Sequence, residues 1–533
     1  MPTRSHDRSR IAPTLVVGAT AVLGLLSQAA GAQAFSAAAS AVSGYSKAGL
    51  APRMSCAALG QYTARDLVSI NTAAVAAASG VPAHCRVTGT LAPEIAFEVS
   101  LPAHWNGRFY MIGNGGHAGE SLEDPTRVSQ RNSALQAGFA FAQTNTGHDA
   151  RKEPGASFVM SNPEKAIDYA YRAVNLTAVT AKNITRTYFG ADIARSYWNS
   201  CSNGGRQGLM EAQRYPQDFD GILANAPWVD QTGFTLGAMW NQKAIDAAPL
   251  SAAKLALVGK AVMAQCDALD GLKDGQIDDP RRCRLDVKTD LPACAAGRDD
   301  DTCLTPAQSE AVLKIYGGPV SRGRPFFPGY MPGSEGGWMN FIVPAQPDRK
   351  AADFNLAEGT LRYLVHTPPQ PQYDYRSFDF ERDIPMLDAW GQLVNADNPD
   401  LARFRKRGGK LIMTYGWADP VLQPLAGVHY YERAIAKNGP DTPQFFRLFM
   451  VPGMSHCAGG IATDRFDAVT ALVDWVEKGK APDAIRAARV VNNQEVRSRP
   501  LCPYPQAARY TGQGSIDEAA NFRCVNAGQD AAR

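Results

Sequence analysis

Short apolar runs alternate with stretches of helical spacing in two parts of this chain, and the alternation fails between them. The runs at 108–112, 139–142, 196–198 and 221–224 are too short for helices and read as buried strands. Residues 166–185 bring Ala, Tyr, Val and Leu back every three to four positions, and 204–215 follow a glycine pair; both read as helices. From about 228 to 393 the periods dissolve into Pro, Gly, Asp and aromatic residues. The alternation resumes with a strand at 410–415, a helix at 427–437, a strand at 445–451 and a helix at 464–478. Such a series predicts a parallel sheet with helices on both faces, interrupted by a lid. The expected divisions are a first core part over 35–227, a lid over 228–393 and a second core part over 394–533. The Ala- and Ser-rich residues 35–55 are expected to form a loose leader.

With 533 residues, 45% of them hydrophobic and 20% charged, the composition is that of an ordinary globular protein. A formal net charge of +3, with no basic run, sets nucleic-acid binding aside. Arg4, Arg8 and Arg10 precede a short apolar stretch, and Ala32-Gln33-Ala34 fits a small-x-small cleavage site, so 1–34 reads as an export signal. The alternative is an N-terminal anchor, but Pro13, Gly18 and Gly24 break the stretch. No later segment has about 18 consecutive apolar residues, so no spanning helix is expected.

The 10 cysteines are an even number, which in an exported chain favours disulfides over thiols or zinc. Spacing alone does not give connectivity. Pairing sequence neighbours would join Cys56–Cys85, Cys266–Cys283, Cys294–Cys303 and Cys502–Cys524, leaving Cys201 for Cys457. Both remaining cysteines adjoin residues suited to acyl transfer, Ser202 and His456, so a bond between them would draw those residues together.

Ser202 lies in Ser200-Cys201-Ser202-Asn203-Gly204-Gly205, between an expected strand and an expected helix. This is the setting of a nucleophile elbow, with Ser200 in place of the usual first glycine. Read alone, the motif serves a capped helix start equally well. Asp419 follows a strand in Tyr415-Gly416-Trp417-Ala418-Asp419, and His456 follows another in Pro452-Gly453-Met454-Ser455-His456-Cys457. The order Ser, Asp, His is that of serine hydrolases built on such sheets, which place their sites at the carboxyl ends of strands. Ser202 is then the nucleophile, His456 the general base and Asp419 its orienting acid. The oxyanion donors are expected from the Asn203 N–H and from the loop Gly113–Gly116, at Gly116.

Residues 266–278 carry Asp267, Asp270, Asp274 and Asp278 among glycines. Clustered carboxylates suit a hard cation, calcium first, although the spacing is not that of an EF-hand; an acidic surface turn accounts for the pattern as well.

Cys-Ser before Gly-Gly-Arg-Gln-Gly, Asp after Tyr-Gly, and Pro-Gly-Met-x-His-Cys together resemble the tannase/feruloyl esterase family, which also holds mono(2-hydroxyethyl) terephthalate hydrolase. The resemblance runs from about Cys56 to Cys524. It implies an α/β-hydrolase core with a large inserted lid, the triad Ser202, Asp419 and His456, and a Cys201–Cys457 disulfide behind it. It also implies structural Ca2+ held by the Asp267, Asp270 and Asp274 side chains and the Leu272 and Gln276 carbonyls.

The leading expectation is thus a secreted or periplasmic serine esterase acting on small aromatic-acid esters such as feruloyl or galloyl esters. Trp338, Phe341 and Trp390 are loose lid candidates for ring contacts, and ordinary packing of the lid core outweighs that role for any single one. A hydrolase of terephthalate- or phthalate-type half-esters is the alternative within enzymes, and would want a lid Arg or Lys for the second carboxylate. A non-catalytic, calcium-stabilised binding protein is the alternative outside them.

Overall fold

Nine strands form one mixed sheet in the order β1-β2-β3-β5-β4-β6-β7-β10-β11 in a computed structural model that describes residues 34–45, 49–346 and 349–526. Apart from Ala34, the expected export signal lies outside these residues. The strands are β1 (Leu67–Val75), β2 (His84–Leu91), β3 (Ile95–Pro102), β4 (Arg108–Met111), β5 (Ala140–Thr144), β6 (Arg195–Cys201) and β7 (Gly221–Asn225). A small hairpin, β8 (Val320–Ser321) with β9 (Arg324–Pro325), sits apart; β10 (Lys410–Gly416) and β11 (Phe446–Val451) complete the large sheet. The six strands from β5 to β11 in sheet order pair in parallel, as the alternation predicts. β1, β2 and β3 form an antiparallel edge that the alternation does not predict. Only residues 92–94 separate β2 from β3, and so short a link can join antiparallel neighbours but not a parallel crossover.

Three further expectations are corrected. The segment 228–393 is not irregular: it holds helices Gln231–Ala247, Ala252–Cys266, Pro306–Gly317 and Ala352–Gly359. The first is buried over most of its circumference, including Gln231, Thr235 and Asn241, so no apolar stripe marks it in the sequence. The third carries a capping box, Thr305 with Gln308, which is a legible start signal. Second, the helix expected from 464 begins at Ala468, because the Asp467 side chain caps the Thr470 N–H, and Arg465–Phe466 instead form a strand, β12. β12 pairs with β13 (Ile485–Val491), which pairs with β14 (Gln494–Leu501); β15 (Gln506–Tyr510) and β16 (Phe522–Asn526) form a separate ribbon. Third, the described part of 35–55 is anchored. Phe35 packs its ring 5.2 Å from Tyr110 and 5.0 Å from Phe139, and the Val42 and Ser43 N–H groups donate to Asp474. Ala34 reaches a small cavity that it shares with Asn225 and Cys457.

All ten cysteines pair, as Cys56–Cys85, Cys201–Cys457, Cys266–Cys283, Cys294–Cys303 and Cys502–Cys524. Such bonds persist in an oxidising compartment. Among the described residues no single helix is long and apolar enough to cross a membrane.

Candidate active site

Ser202 stands between β6 and the helix Asn203–Arg214 with φ 62° and ψ −124°, a conformation a non-glycine residue holds only when its surroundings impose it. The imposition is visible. The Ser202 N–H donates to the Asn225 carbonyl at 3.0 Å, and the Trp228 N–H donates to the Ser202 carbonyl at 3.0 Å. Ser200 is accommodated at the elbow because position 204 has no side chain; a Cβ there would lie 1.9 Å from Ser200 Oγ.

The Cys201–Cys457 bond spans 256 residues and holds its Cα atoms 5.9 Å apart, so the elbow and the loop after β11 are one covalent unit. Cys457 also has positive φ, 65°. A His456 ring nitrogen lies within 4.8 Å of both sulfurs, which are spent in the disulfide and offer no thiolate to a metal. The His456 Nδ1 is 2.8 Å from Asp419 Oδ2. The other oxygen, Asp419 Oδ1, accepts the Val421 N–H at 2.8 Å and the Leu422 N–H at 2.9 Å. Asp419 is fully buried and His456 nearly so.

In the glycine loop after β4, the Asn114 N–H donates to Gln207 Oε1 and the Gly115 N–H to Glu120 Oε1. The Gly116 and Asn203 N–H groups meet no acceptor among the described residues. A buried network that the sequence does not announce holds their surroundings. Tyr169 Oη donates to the Gly116 carbonyl at 3.1 Å, Gln231 Nε2 donates to Tyr169 Oη, and Trp390 Nε1 donates to Gln231 Oε1. Burial pushes the Tyr169 phenol up to about 12, so it stays a donor. Arg206 Nε donates to Asn203 Oδ1 at 2.6 Å, and three more of its five N–H groups go to the Tyr169, Ala170 and Val394 carbonyls. These residues lie on helical segments, Tyr169 in a π-helical turn over Asp168–Arg172, and only the fold brings them together.

Two of the lid aromatics singled out above have packing roles. Trp338 is fully buried, donates its indole N–H to Ser334 Oγ and meets Tyr316 edge-on. Trp390 is buried in the network just described and stacks on Tyr169. Phe341 is half-buried against two core clusters. The lid reaches the site instead through the helix Ala352–Gly359 and the turn after it. Leu356 Cδ2 would lie 3.4 Å from a Cβ on Gly116, and Thr360 Oγ1 is 3.1 Å from His117 Nε2. Burial drives His117 down to about 3, so its ring is neutral.

In the acidic loop, Asp267 Oδ1 accepts the Asp274 and Gly275 N–H groups, Asp270 Oδ1 accepts the Leu272 N–H, and Arg499 donates to Asp274 Oδ2 at 2.6 Å. The three carboxylates do not close to within 4.8 Å of one another. They are nevertheless crowded: burial and Asp274 push Asp270 up, and burial with Asp270 and Asp274 pushes Asp278 up to about 8. Oxygen donors this crowded have the chemistry of a hard-cation site.

A mostly parallel sheet with an elbow after one strand, and an acid and a histidine after two others, defines an α/β-hydrolase. Comparison with known proteins narrows this. The sequence model described as tannase and feruloyl esterase matches residues 79–525. Mono(2-hydroxyethyl) terephthalate hydrolase from Piscinibacter sakaiensis is 36% identical, over 85% of this chain and 86% of that protein. A probable feruloyl esterase B-1 from Aspergillus oryzae is 30% identical, over 83% of this chain and 84% of that protein. The crystal structure of feruloyl esterase B from Aspergillus oryzae superposes with a TM-score of 0.74 at 27% identity, covering 87% of this chain and 98% of that one. The chain belongs to the tannase and feruloyl esterase family, and it is a carboxylic ester hydrolase.

Proposed function

We propose that this protein is a secreted serine esterase that cleaves esters of aromatic acids, of the feruloyl or galloyl kind, with Ser202, His456 and Asp419 as its triad. The observation that carries the reading is the Cys201–Cys457 bond, which ties the strained Ser202 elbow to a His456 already hydrogen-bonded to Asp419. In this reading Ser202 attacks the ester carbonyl as His456 takes its proton. The tetrahedral oxyanion is held by the Gly116 and Asn203 N–H groups, whose free state supports that role. His456 then protonates the leaving alcohol, and water releases the acid from the acyl-enzyme. Five disulfides and the leader composition support export. The test compares wild type with Ser202→Ala on a methyl or para-nitrophenyl ester of a phenolic acid; equal turnover by the two proteins refutes the triad.

Hydrolysis of terephthalate-type half-esters is a second reading, favoured by the 36% identity to a hydrolase of that substrate. Arg206 is a poor partner for the second carboxylate, since it is fully buried and four of its five N–H donors are engaged within the protein. A panel of phenolic and terephthalate esters separates the readings.

The acidic loop is proposed to hold a structural Ca2+ through Asp267, Asp270 and Asp274 with the Leu272 and Gln276 carbonyls, the ion relieving the crowding of like charges. Gln276 Nε2 donates to the Ile461 carbonyl at 3.1 Å, in the loop that carries His456, so the ion would steady that loop.

A further inference from the structure

The lid rests on the acid loop at two adjacent points. Gly337 packs so closely on Pro420 that a Cβ at position 337 would lie 2.5 Å from Pro420 Cγ. Beside it, Tyr330 Oη is 2.9 Å from the Val421 carbonyl oxygen and 2.7 Å from Asp353 Oδ2, on the lid helix Ala352–Gly359. Tyr330 is fully buried and Asp353 nearly so. Val421 is the residue whose N–H donates to Asp419 Oδ1.

The protons can be counted. Tyr330 has one hydroxyl proton and two oxygen neighbours. The Val421 carbonyl only accepts. If Asp353 were a carboxylate it too would only accept, and one of the two contacts would set bare oxygens against each other in a dry interior. A protonated Asp353 removes the conflict: its O–H donates to Tyr330 Oη, and the Tyr330 O–H donates to the Val421 carbonyl. The titratable groups facing Asp353 are Tyr330 and, across the interface, Asp419. Lys350, near it in sequence, is instead paired with Glu358 and lies over the Phe354 ring. Asp353 Oδ1 has no hydrogen-bond partner among the described residues, which burial tolerates in a neutral carboxyl far better than in a carboxylate.

We propose that Asp353 and Tyr330 are positioning residues for the esterase triad, a neutral carboxylic acid and a phenol that clamp the Val421 peptide from the lid and so fix Asp419 against His456. Both act through Asp419, so the inference rests on the triad reading above. A neutral acid is the form suited to this place. It grips the loop by hydrogen bonds without setting a second negative charge beside Asp419, where it would favour imidazolium and withdraw the base.

Two measurements test it. Wild-type minus Asp353→Asn infrared difference spectra at neutral pH should contain a protonated-carboxyl carbonyl band above the amide envelope; its absence overturns the neutral acid, whatever the activity. In steady state, Tyr330→Phe removes the donor to Val421 and should lower kcat by about tenfold or more while KM moves by less than about threefold, as for a base held slightly out of place. Asp353→Asn keeps an N–H donor for Tyr330 and should hold kcat within about threefold of wild type, whereas Asp353→Leu should fall with Tyr330→Phe. Unchanged kcat in Tyr330→Phe, or equal losses in Asp353→Asn and Asp353→Leu, overturns the clamp. If Ser202→Ala is inactive while these variants are normal, only the clamp fails; if Ser202→Ala is active, the triad itself fails.

Discussion

Replacing Asp419 by asparagine tests the site at its most constrained atom. Asp419 Oδ1 accepts two backbone N–H groups, from Val421 and Leu422, and Oδ2 faces His456 Nδ1 at 2.8 Å. An amide has one oxygen for these two stations. Setting its NH2 against the two backbone donors would leave buried donors unsatisfied, at about 1–3 kcal/mol each. Setting its NH2 toward His456 leaves the backbone pair satisfied and requires only that the imidazole proton move from Nδ1 to Nε2. The second arrangement wins, so the variant folds with the wrong tautomer. The nitrogen meant to take the Ser202 proton then already carries one. The expected loss is about 10⁴ in kcat, or about 5 kcal/mol of transition-state stabilisation. The assay is steady-state hydrolysis of a phenolic ester, with thermal melting to show that the fold is intact. A folded Asp419→Asn enzyme within about tenfold of wild type refutes the role given to Asp419.

Opening the Cys201–Cys457 bond by a double alanine substitution releases a closure of 256 residues, which chain entropy values at about 5 kcal/mol as an upper figure. Activity should fall before the far-ultraviolet circular dichroism does, since the bond joins the loops of the proposed nucleophile and base, and full turnover without the bond refutes this. Glu211, buried in the helix after Ser202 and facing Asp218, is pushed well above the usual carboxylate range by that burial and that neighbour. A raised group contributes stability that is fully present below the usual carboxylate range and is lost as pH rises from there through its folded value, so Glu211→Gln should flatten the decline of Tm as pH rises above the usual carboxylate range; parallel profiles for the two proteins refute the assignment. If the acidic loop holds calcium, the ion at about a hundred times its Kd adds about 2.7 kcal/mol, and a chelator should lower Tm until calcium is returned. Superimposable melting curves with and without chelator count against the ion.

The chemistry at the site was legible residue by residue. Ser202 beside Cys201, His456 beside Cys457 and Asp419 past Tyr415-Gly416 are local patterns, because an elbow and a strand-end loop each leave a mark within a few residues, although which cysteine each one pairs with does not. The parallel strands were legible for the same reason, each being a short apolar run. The antiparallel edge β1–β3 and the later ribbons were not, since pairing direction depends on which distant segment a strand meets. The helix Gln231–Ala247 was hidden because burial on most sides erases the apolar stripe by which a surface helix shows itself.

Composition and motif therefore pointed to the kind of reaction this chain supports and to the residues proposed to bear it. Only the folded arrangement decided that Trp338 and Trp390 are packing, that Gly116 keeps a free N–H while Gly115 does not, and that Asp353 meets Tyr330 beneath Val421. Whether a polar group is satisfied depends on partners tens or hundreds of residues away, and no local pattern encodes that.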